Sequence, residues 1–304
     1  MRKEFAAAIK KIATADKKII FLTGDLGYNV LEELRESIGN RFINAGVSEQ
    51  NMITMSAALA SEGFKPICYS IAPFATFRPA EQIRLDVCLH NMNVKIVGNG
   101  GGYGYGIMGA THHAIEDIAV LSSFQNMRCY IPFCNEDVAE VVNQMMQKRT
   151  PGYLRLGLAS KPDQLKIESY SHTRRLIRGD KVTVVGIGPV IVNVFEALGL
   201  LDDPIYQPDL FVVSEMPLTE ITPELKKSLK KTGQLVIIEE HVSRGGLAEN
   251  LALLLAKSQI FCRIEHLYAQ GYPDGLYGSQ GYHHKVCQLD PLSLAKLLKR
   301  LSYG

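Results

Sequence analysis

The chain lacks several features that would assign it to a common functional class. It has no long run of Lys or Arg and a formal net charge of only +2, whereas a nucleic-acid-binding protein usually carries a basic face. Its six cysteines include no C-x-x-C pair, which disfavours a zinc or disulfide framework and favours buried thiols in a reducing compartment. No stretch has membrane-spanning length, and the charged amino terminus lacks the apolar core of a signal peptide. We therefore expect a soluble, cytoplasmic protein that binds neither nucleic acid nor membrane.

The sequence does contain short β-branched runs that alternate with longer segments of helical periodicity. Residues 18–24 and 66–70, for example, are predicted to be buried strands. This alternation predicts mostly parallel sheets with helices on both faces. A polar, strand-poor stretch is predicted to be a linker at 166–179, after which the alternation restarts. The predicted fold class is α/β, with two three-layer αβα domains at 1–165 and 180–304.

The segment GVSEQ, residues 46–50, lies between a predicted strand and a long predicted helix. A strand-to-helix turn explains it without any function, because Gly46 permits the bend, Ser48 can cap the helix and Glu49 suits its positive end. A glutamate here can also project from the carboxyl edge of a parallel sheet, where ligands bind in open α/β folds. Both interpretations remain open from the residues alone.

Two aromatic residues, Phe74 and Phe77, follow the next predicted strand in the segment PFATFR. Aromatic side chains at such a position usually belong to the core. They can equally present a flat ring on which a heterocycle stacks.

A glycine-rich segment runs from Gly98 to the paired histidines His112 and His113. It contains a formal G-x-G-x-x-G, but the next predicted strand ends without the carboxylate of a dinucleotide site. The glycines favour a loop whose backbone approaches a ligand closely or moves. Because no cysteine or suitably spaced carboxylate accompanies the histidines, a metal site is only weakly supported.

The predicted strand YLRLG places Arg155 among apolar neighbours. This arginine can form an ion pair at the strand end. It can also bind a phosphate or carboxylate at the edge of a site, since a planar guanidinium suits both anions.

The order of these segments is more specific than any one of them. In chain order the motifs are a predicted strand ending in GDL, the segment GVSEQ, aromatics with an arginine, a glycine loop closing in THHAIED, and a tail with EEH and RGGL. In this order of motifs the chain resembles the pyrimidine-binding and C-terminal domains of transketolases. It is more distantly similar to deoxyxylulose-phosphate synthases and to the β-subunits of 2-oxo-acid dehydrogenases.

The resemblance implies that thiamine diphosphate is the cofactor and that a two-carbon ketol unit passes from a ketose, expected to be phosphorylated, to an aldose. It implies that Glu49 hydrogen-bonds N1′ of the aminopyrimidine and that Phe74 stacks on this ring. Asp25 would approach the thiazolium, His112 the reacting carbon and Arg155 a substrate phosphate. The expected site residues are Glu49 and His112 in catalysis; Asp25, Glu49, Phe74 and Phe77 at the cofactor; and Arg155 and His112 at the substrate.

The resemblance also implies a partner. In the family another domain holds the diphosphate and Mg²⁺ through Gly-Asp-Gly and a later Asn-Asn, and this chain contains neither motif. We therefore expect a separate N-terminal subunit to bind the diphosphate and Mg²⁺, in an α2β2 heterotetramer with the cofactor between unlike subunits.

Two positions depart from the family pattern. Asn99-Gly100 stands where full-length transketolases have Thr-His, and Ile107-Met108 stands where they have Glu-Asp. The missing histidine and aspartate normally contact sugar hydroxyls, so the resemblance implies a less polar substrate site.

Three other functions are compatible with parts of this pattern. A 2-oxo-acid dehydrogenase β-subunit would also be split and would also use Glu49. A non-catalytic paralogue would keep the fold but bind no cofactor. A nucleotide-dependent oxidoreductase is disfavoured by the absent ribose-binding carboxylate.

Overall fold

Two mostly parallel β-sheets with flanking helices form the described part of the chain. The computed structural model describes residues 1–27, 29–163, 165–167, 169–201 and 203–302. Part of the predicted linker, Glu168, and the last two residues of the second predicted domain lie outside the described residues.

Twelve strands are described. In chain order they are β1 (Ile19–Thr23), β2 (Phe42–Asn44), β3 (Lys65–Ile71), β4 (Lys95–Asn99), β5 (Arg128–Tyr130), β6 (Gly152–Leu156), β7 (Thr173–Ile177), β8 (Thr183–Ile187), β9 (Asp209–Val213), β10 (Glu215–Met216), β11 (Gln234–Glu239) and β12 (Arg263–Tyr268).

The first sheet has the order β10-β5-β6-β4-β3-β1-β2 and the second β12-β11-β8-β9-β7. Among the strands of the described residues, β10 in the first sheet and β7 in the second are the only ones antiparallel to their neighbours. These topologies confirm the predicted α/β fold class.

The α-helices of the described residues are α1 (Arg2–Ala15), α2 (Glu32–Ile38), α3 (Glu49–Ser61), α4 (Ala72–Thr76), α5 (Ala80–Gln82), α6 (Asp117–Ser122), α7 (Val138–Gln147), α8 (Val192–Leu201), α9 (Pro223–Thr232), α10 (Leu247–Lys257), α11 (Gln280–Val286) and α12 (Pro291–Ser302). A π-helical segment, Ile83–Leu89, continues α5. Within the described ranges, no helix combines the length and apolar character needed to cross a bilayer.

Alternating side chains connect each sheet to the helices on its two faces. In β1, Ile19 and Phe21 join one apolar cluster, whereas Ile20 and Leu22 join another. Successive strand residues point to opposite faces, so this alternation requires a helix layer on each side. The second of these clusters continues into the other sheet, where it includes Val185 in β8 and Ile237 in β11, so a shared apolar core connects the two sheets.

Strand β7 lies inside the segment predicted to be a linker. Its two arginines interrupt the apolar run that would have indicated a strand, yet each has a carboxylate partner. Arg174 Nη1 lies 2.7 Å from Asp137 Oδ1, and Arg175 Nε lies 3.0 Å from Asp209 Oδ1. A buried arginine with a paired carboxylate is compatible with an edge strand, which the sequence alone did not indicate.

The parallel order brings the predicted site segments to one edge. Strands β1, β2, β3 and β4 run in the same direction, so the loops after them lie at a common carboxyl edge. Those loops carry Asp25, Glu49, Phe74 and the glycine-rich segment. This edge is the site that open α/β folds use for ligands.

Candidate active site

Glu49 is the first residue of α3 and is only 4% exposed. Its carboxylate receives two hydrogen bonds from Arg78 Nη1, at 3.2 Å to Oε1 and 3.1 Å to Oε2. Ser70 Oγ, at the end of β3, donates a third at 3.4 Å. Ser48 does not cap the helix through its side chain, because its hydroxyl donates to the carbonyl of Ala45 at 2.7 Å. The site thus holds a nearly buried carboxylate whose charge is balanced by an arginine.

Phe74 presents a ring face to the arginine that pairs with this carboxylate. The guanidinium carbon of Arg78 lies 3.8 Å from the ring centroid of Phe74. Phe74 lies within α4 and Arg78 lies two residues beyond its end, and four positions is the spacing at which helical side chains meet. Phe77, between them in sequence, is half-buried, and its place beside the cofactor stays a prediction.

His112 approaches Phe74 from the glycine-rich loop. Its ring centroid is 5.2 Å from that of Phe74 and 5.7 Å from that of Tyr105. Thr111 Oγ1 and His112 Nδ1 share a hydrogen bond of 2.9 Å. The Tyr105 hydroxyl accepts a bond of 2.8 Å from Asn99 Nδ2 at the end of β4. Phe74 therefore lies between His112 and the arginine that pairs with Glu49, and the roles of these three residues toward a cofactor stay predictions.

The conformation of the glycine-rich loop requires glycine at Gly100. This residue has φ +75°, and an added Cβ would lie 2.2 Å from the ring of Tyr105. A histidine could not occupy this position without moving Tyr105. Ile107 and Met108, which stand at the second departure from the family pattern, are 78% and 54% exposed.

The same loop is anchored to the second sheet's domain. The Tyr103 amide donates to Glu240 Oε1 at 2.8 Å. His113 is buried, with Nε2 2.7 Å from the carbonyl of Gly106 and Nδ1 2.8 Å from the hydroxyl of Tyr272. Burial lowers the pKa of His113 below its usual value. His113 therefore has a structural role in holding the loop to the second domain, next to the candidate catalytic residue His112.

Asp25 lies at the same edge, beyond the end of β1. It has φ +58°, and its carboxylate accepts a bond of 2.8 Å from Asn44 Nδ2. Its neighbour Gly24 borders Glu49, since an added Cβ would lie 3.6 Å from Glu49 Oε1. Asp25 also lines a cavity of about 210 Å³ between β1 and α2. Its role toward the thiazolium stays a prediction.

Arg155 has a different environment from the one expected of a phosphate ligand. It is 3% exposed, and its Nε lies 3.0 Å from Asp117 Oδ2. Its Nη2 donates to the carbonyls of Ala114 at 2.7 Å and Glu240 at 2.9 Å. The guanidinium joins α6 and the second domain inside the protein. This geometry matches the ion-pair interpretation of Arg155 and does not favour contact with substrate.

The tail motif EEH is also structural in part. Glu239, at the end of β11, accepts bonds from the amides of Leu247 at 2.7 Å and Ala248 at 3.1 Å. It therefore balances the positive end of α10. Gly246 permits this approach, because a Cβ there would lie 2.3 Å from Glu239 Oε2.

Arg78, Ser70 and Tyr105 were not predicted as site residues from the sequence. The four-residue spacing from Phe74 was available as a signal for Arg78, whereas the other two depend on tertiary packing. Among the described residues, no group of three or more His, Cys, Asp or Glu side chains could hold a metal ion.

Comparison with known proteins assigns the family. Residues 1–159 match the family model of the transketolase pyrimidine-binding domain, and residues 171–274 match that of the transketolase C-terminal domain. The chain belongs to the transketolase family. This confirms the resemblance inferred from the order of motifs.

Two curated relatives illustrate the match. The chain is 29% identical over 268 residues to one of the subunits of the apulose-4-phosphate transketolase of Phocaeicola vulgatus, covering 86% of each chain. It is 28% identical over 299 residues to the 1-deoxy-D-xylulose-5-phosphate synthase of Clostridium perfringens, of which it covers 46%.

Solved structures give the same fold. A protein described as a split gene transketolase, inactive beta4 tetramer, has a TM-score of 0.85 at 24% identity and is covered over 98% of its length. A transketolase mutant from Pichia stipitis has a TM-score of 0.76 at 18% identity, and the chain covers 45% of it. At these identities the likeness establishes the fold alone.

Proposed function

We propose that the chain is the C-terminal subunit of a split transketolase, which transfers a two-carbon ketol unit from a ketose phosphate to an aldose. The observation that carries this proposal is the nearly buried carboxylate of Glu49, paired with a flat cation stacked on Phe74. Membership of the family supports it, and so does the match over most of the length of an apulose-4-phosphate transketolase subunit.

The residues fit the aminopyrimidine of thiamine diphosphate. The guanidinium of Arg78 is planar, donates N–H groups to Glu49 and stacks on Phe74 at 3.8 Å. An aminopyrimidine has the same planar shape and donor character, so this edge suits such a ring. When bound, thiamine diphosphate supplies the carbanion chemistry of carbon–carbon bond cleavage.

Each residue has a definite task in this proposal. Glu49 would hold the proton it shares with ring nitrogen N1′, in surroundings that exclude water from most of its surface. Phe74 would orient the ring by stacking. With His112 Nδ1 bonded to Thr111, Nε2 is the nitrogen that would exchange a proton with substrate. Arg155 receives no substrate role.

The assembly is proposed from the relatives and the missing motifs. The apulose-4-phosphate transketolase of Phocaeicola vulgatus is named by its separate subunits, which supports a separate N-terminal partner that holds the diphosphate and Mg²⁺. We propose an α2β2 heterotetramer with the cofactor between unlike subunits. Five of the six free cysteines are buried, which supports a reducing, cytoplasmic location.

The substrate proposal follows from the glycine-rich loop. Gly100 has no room for a side chain, and Ile107 and Met108 present apolar atoms to solvent at the loop. A substrate with fewer hydroxyls to recognise suits this edge better than an ordinary pentose phosphate. Because a relative is named for apulose 4-phosphate, this compound belongs among the first donors to be tested.

The decisive experiment compares the wild-type chain with Glu49→Gln. The chain is purified from its native cells with its partner, and each variant is reconstituted with that partner, thiamine diphosphate and Mg²⁺. Ketol transfer from a panel of ketose phosphates to aldoses is then followed by product analysis, with pyruvate as the control donor. We expect Glu49→Gln to lose ~10²–10⁴-fold in turnover, as for a positioned acid–base group.

Glu81→Gln is the matched control, since Glu81 is an exposed carboxylate in α5, three residues after Arg78. It should retain wild-type turnover. Near-normal turnover by Glu49→Gln would contradict the assigned role. Turnover of pyruvate without ketol transfer would replace the proposed reaction with a decarboxylation.

A further inference from the structure

Arg78 contacts Glu49 and Phe74, the two residues proposed to hold the ring of the cofactor. Its guanidinium carbon lies over the ring of Phe74, 3.8 Å from the ring centroid, so a second ring cannot lie on the same face. One nitrogen, Nη1, contacts both oxygens of Glu49, at 3.1 Å and 3.2 Å. Both partners of the proposed aminopyrimidine are thus already engaged.

We propose that Arg78 occupies the aminopyrimidine position in the cofactor-free chain, and that the cofactor binds only when Arg78 releases Glu49 and Phe74. The inference rests on the proposed function and adds a self-blocking contact to it. It makes Arg78 a positioning residue that controls when the site is available.

The two partners differ in exposure in a way that permits this exchange. The Arg78 side chain is 46% exposed and can turn into solvent without burying an unpaired charge. Glu49 is 4% exposed and cannot follow. Once Arg78 leaves, Glu49 needs another N–H donor, because a buried carboxylate without a partner is strongly destabilising. The cofactor ring supplies such a donor.

The contact also explains how the free chain keeps its site intact. Without a partner or cofactor, Arg78 balances the charge of Glu49 and covers the apolar face of Phe74. Removing the guanidinium should therefore have two opposite effects. The cofactor-free chain should become less stable, and the affinity for the pyrimidine ring should increase.

The size of the second effect follows from competition. When the competent state is only a fraction of the population, the apparent Kd is the intrinsic Kd divided by that fraction. A half-exposed ion pair with a stacked ring is expected to hold the open state at about one tenth of the population. Releasing it should tighten binding ~10-fold, which is about 1.4 kcal/mol.

The test compares three variants of the reconstituted complex and of the chain alone. Arg78→Met removes the charge and the planar guanidinium but keeps a side chain of similar length. Arg78→Lys keeps the charge without the guanidinium. Arg84→Met is the control, at an exposed arginine six residues later. Thiamine diphosphate with Mg²⁺ is titrated into each complex by calorimetry. The probe for the chain alone is 4-amino-5-hydroxymethyl-2-methylpyrimidine, followed by NMR, and thermal unfolding is recorded without ligand.

We expect Arg78→Met to bind both probes ~10-fold more tightly, with a lower Tm in the absence of ligand. Arg78→Lys should lie between Arg78→Met and wild type, and Arg84→Met should match wild type. Equal or weaker binding by a folded Arg78→Met would overturn the inference alone, provided that the wild-type complex binds the cofactor. If no complex binds thiamine diphosphate, the proposed function and this inference both fail.

Discussion

Replacing Arg155 by methionine distinguishes a structural ion pair from a substrate ligand. Methionine keeps an unbranched chain but removes the guanidinium that faces Asp117 at 3.0 Å. Asp117 is fully buried, so the variant leaves its charge without a counter-ion. The carbonyls of Ala114 and Glu240 lose their shared donor as well.

The expected loss of stability is large. Breaking a buried ion pair by removing one partner costs about 3–5 kcal/mol. For domains of this size, each kcal/mol lowers Tm by roughly 2–4 °C, so Tm should fall by roughly 10 °C. Circular dichroism melts and urea titrations of the chain alone measure this loss. Arg149→Met, at an exposed arginine, should stay within about 0.5 kcal/mol of wild type.

A second substitution tests the pair itself. Adding Asp117→Asn to Arg155→Met removes the stranded charge, while the hydroxyl of Tyr153, now 2.6 Å from Asp117 Oδ2, can still donate to the amide oxygen. The double variant should recover at least ~1 kcal/mol relative to the sum of the single losses. The reasoning is refuted if Arg155→Met keeps the wild-type Tm and instead raises the KM for a phosphorylated substrate, because that is the behaviour of a phosphate ligand.

Two further substitutions test other buried contacts. Burial lowers the pKa of Lys95 from 10.5 to about 7, so the folded protein releases this proton at a pH where the unfolded chain still binds it. The contribution of Lys95 to the free energy of unfolding therefore becomes more favourable as pH rises from 7 toward 10.5. Measured by urea titration, the stability of wild type relative to Lys95→Met should increase by about 2 kcal/mol between pH 7 and 9. A difference that does not change with pH would contradict this. Gly246→Ala should lose about 1–3 kcal/mol of stability in the same assay, because a Cβ there would lie 2.3 Å from Glu239 Oε2. The control is Gly199→Ala, a helical position with open space around it, which should be neutral or stabilising. Equal effects of the two substitutions would contradict the proposed crowding.

The architecture was predictable because its signals are local. Apolar runs such as KIIFLTG have no polar face, which is typical of strands covered on both sides in a parallel sheet. Once the strands are parallel, their carboxyl ends must share one edge. The convergence of Glu49, Phe74 and His112 therefore follows from the order of short strands and helices, without knowledge of side-chain contacts.

The features that could not be predicted from the sequence depend on charged residues with distant partners. A lone arginine in an apolar strand is equally compatible with substrate binding and with a buried pair, and for Arg155 it is the position of Asp117 in α6 that favours the buried pair. For the same reason β7 was not predicted as a strand, because the carboxylate that pairs with Arg174 belongs to Asp137, which is distant in sequence. Pairing across elements leaves no periodic signal in the sequence.

Arg78 shows why an incomplete site can still have a defined conformation. A parallel sheet that ends in a buried carboxylate and an open aromatic face would be costly in a chain without its cofactor. An arginine four residues after Phe74 lowers both costs, because one guanidinium pairs with the carboxylate and covers the aromatic face at the same time. The proposed release of Arg78 is consistent with its exposure, since 46% of its side chain is exposed, against 4% for Glu49. Stability of the free chain and affinity for the cofactor are therefore set against each other at this residue, and a variant that improves one is expected to lower the other.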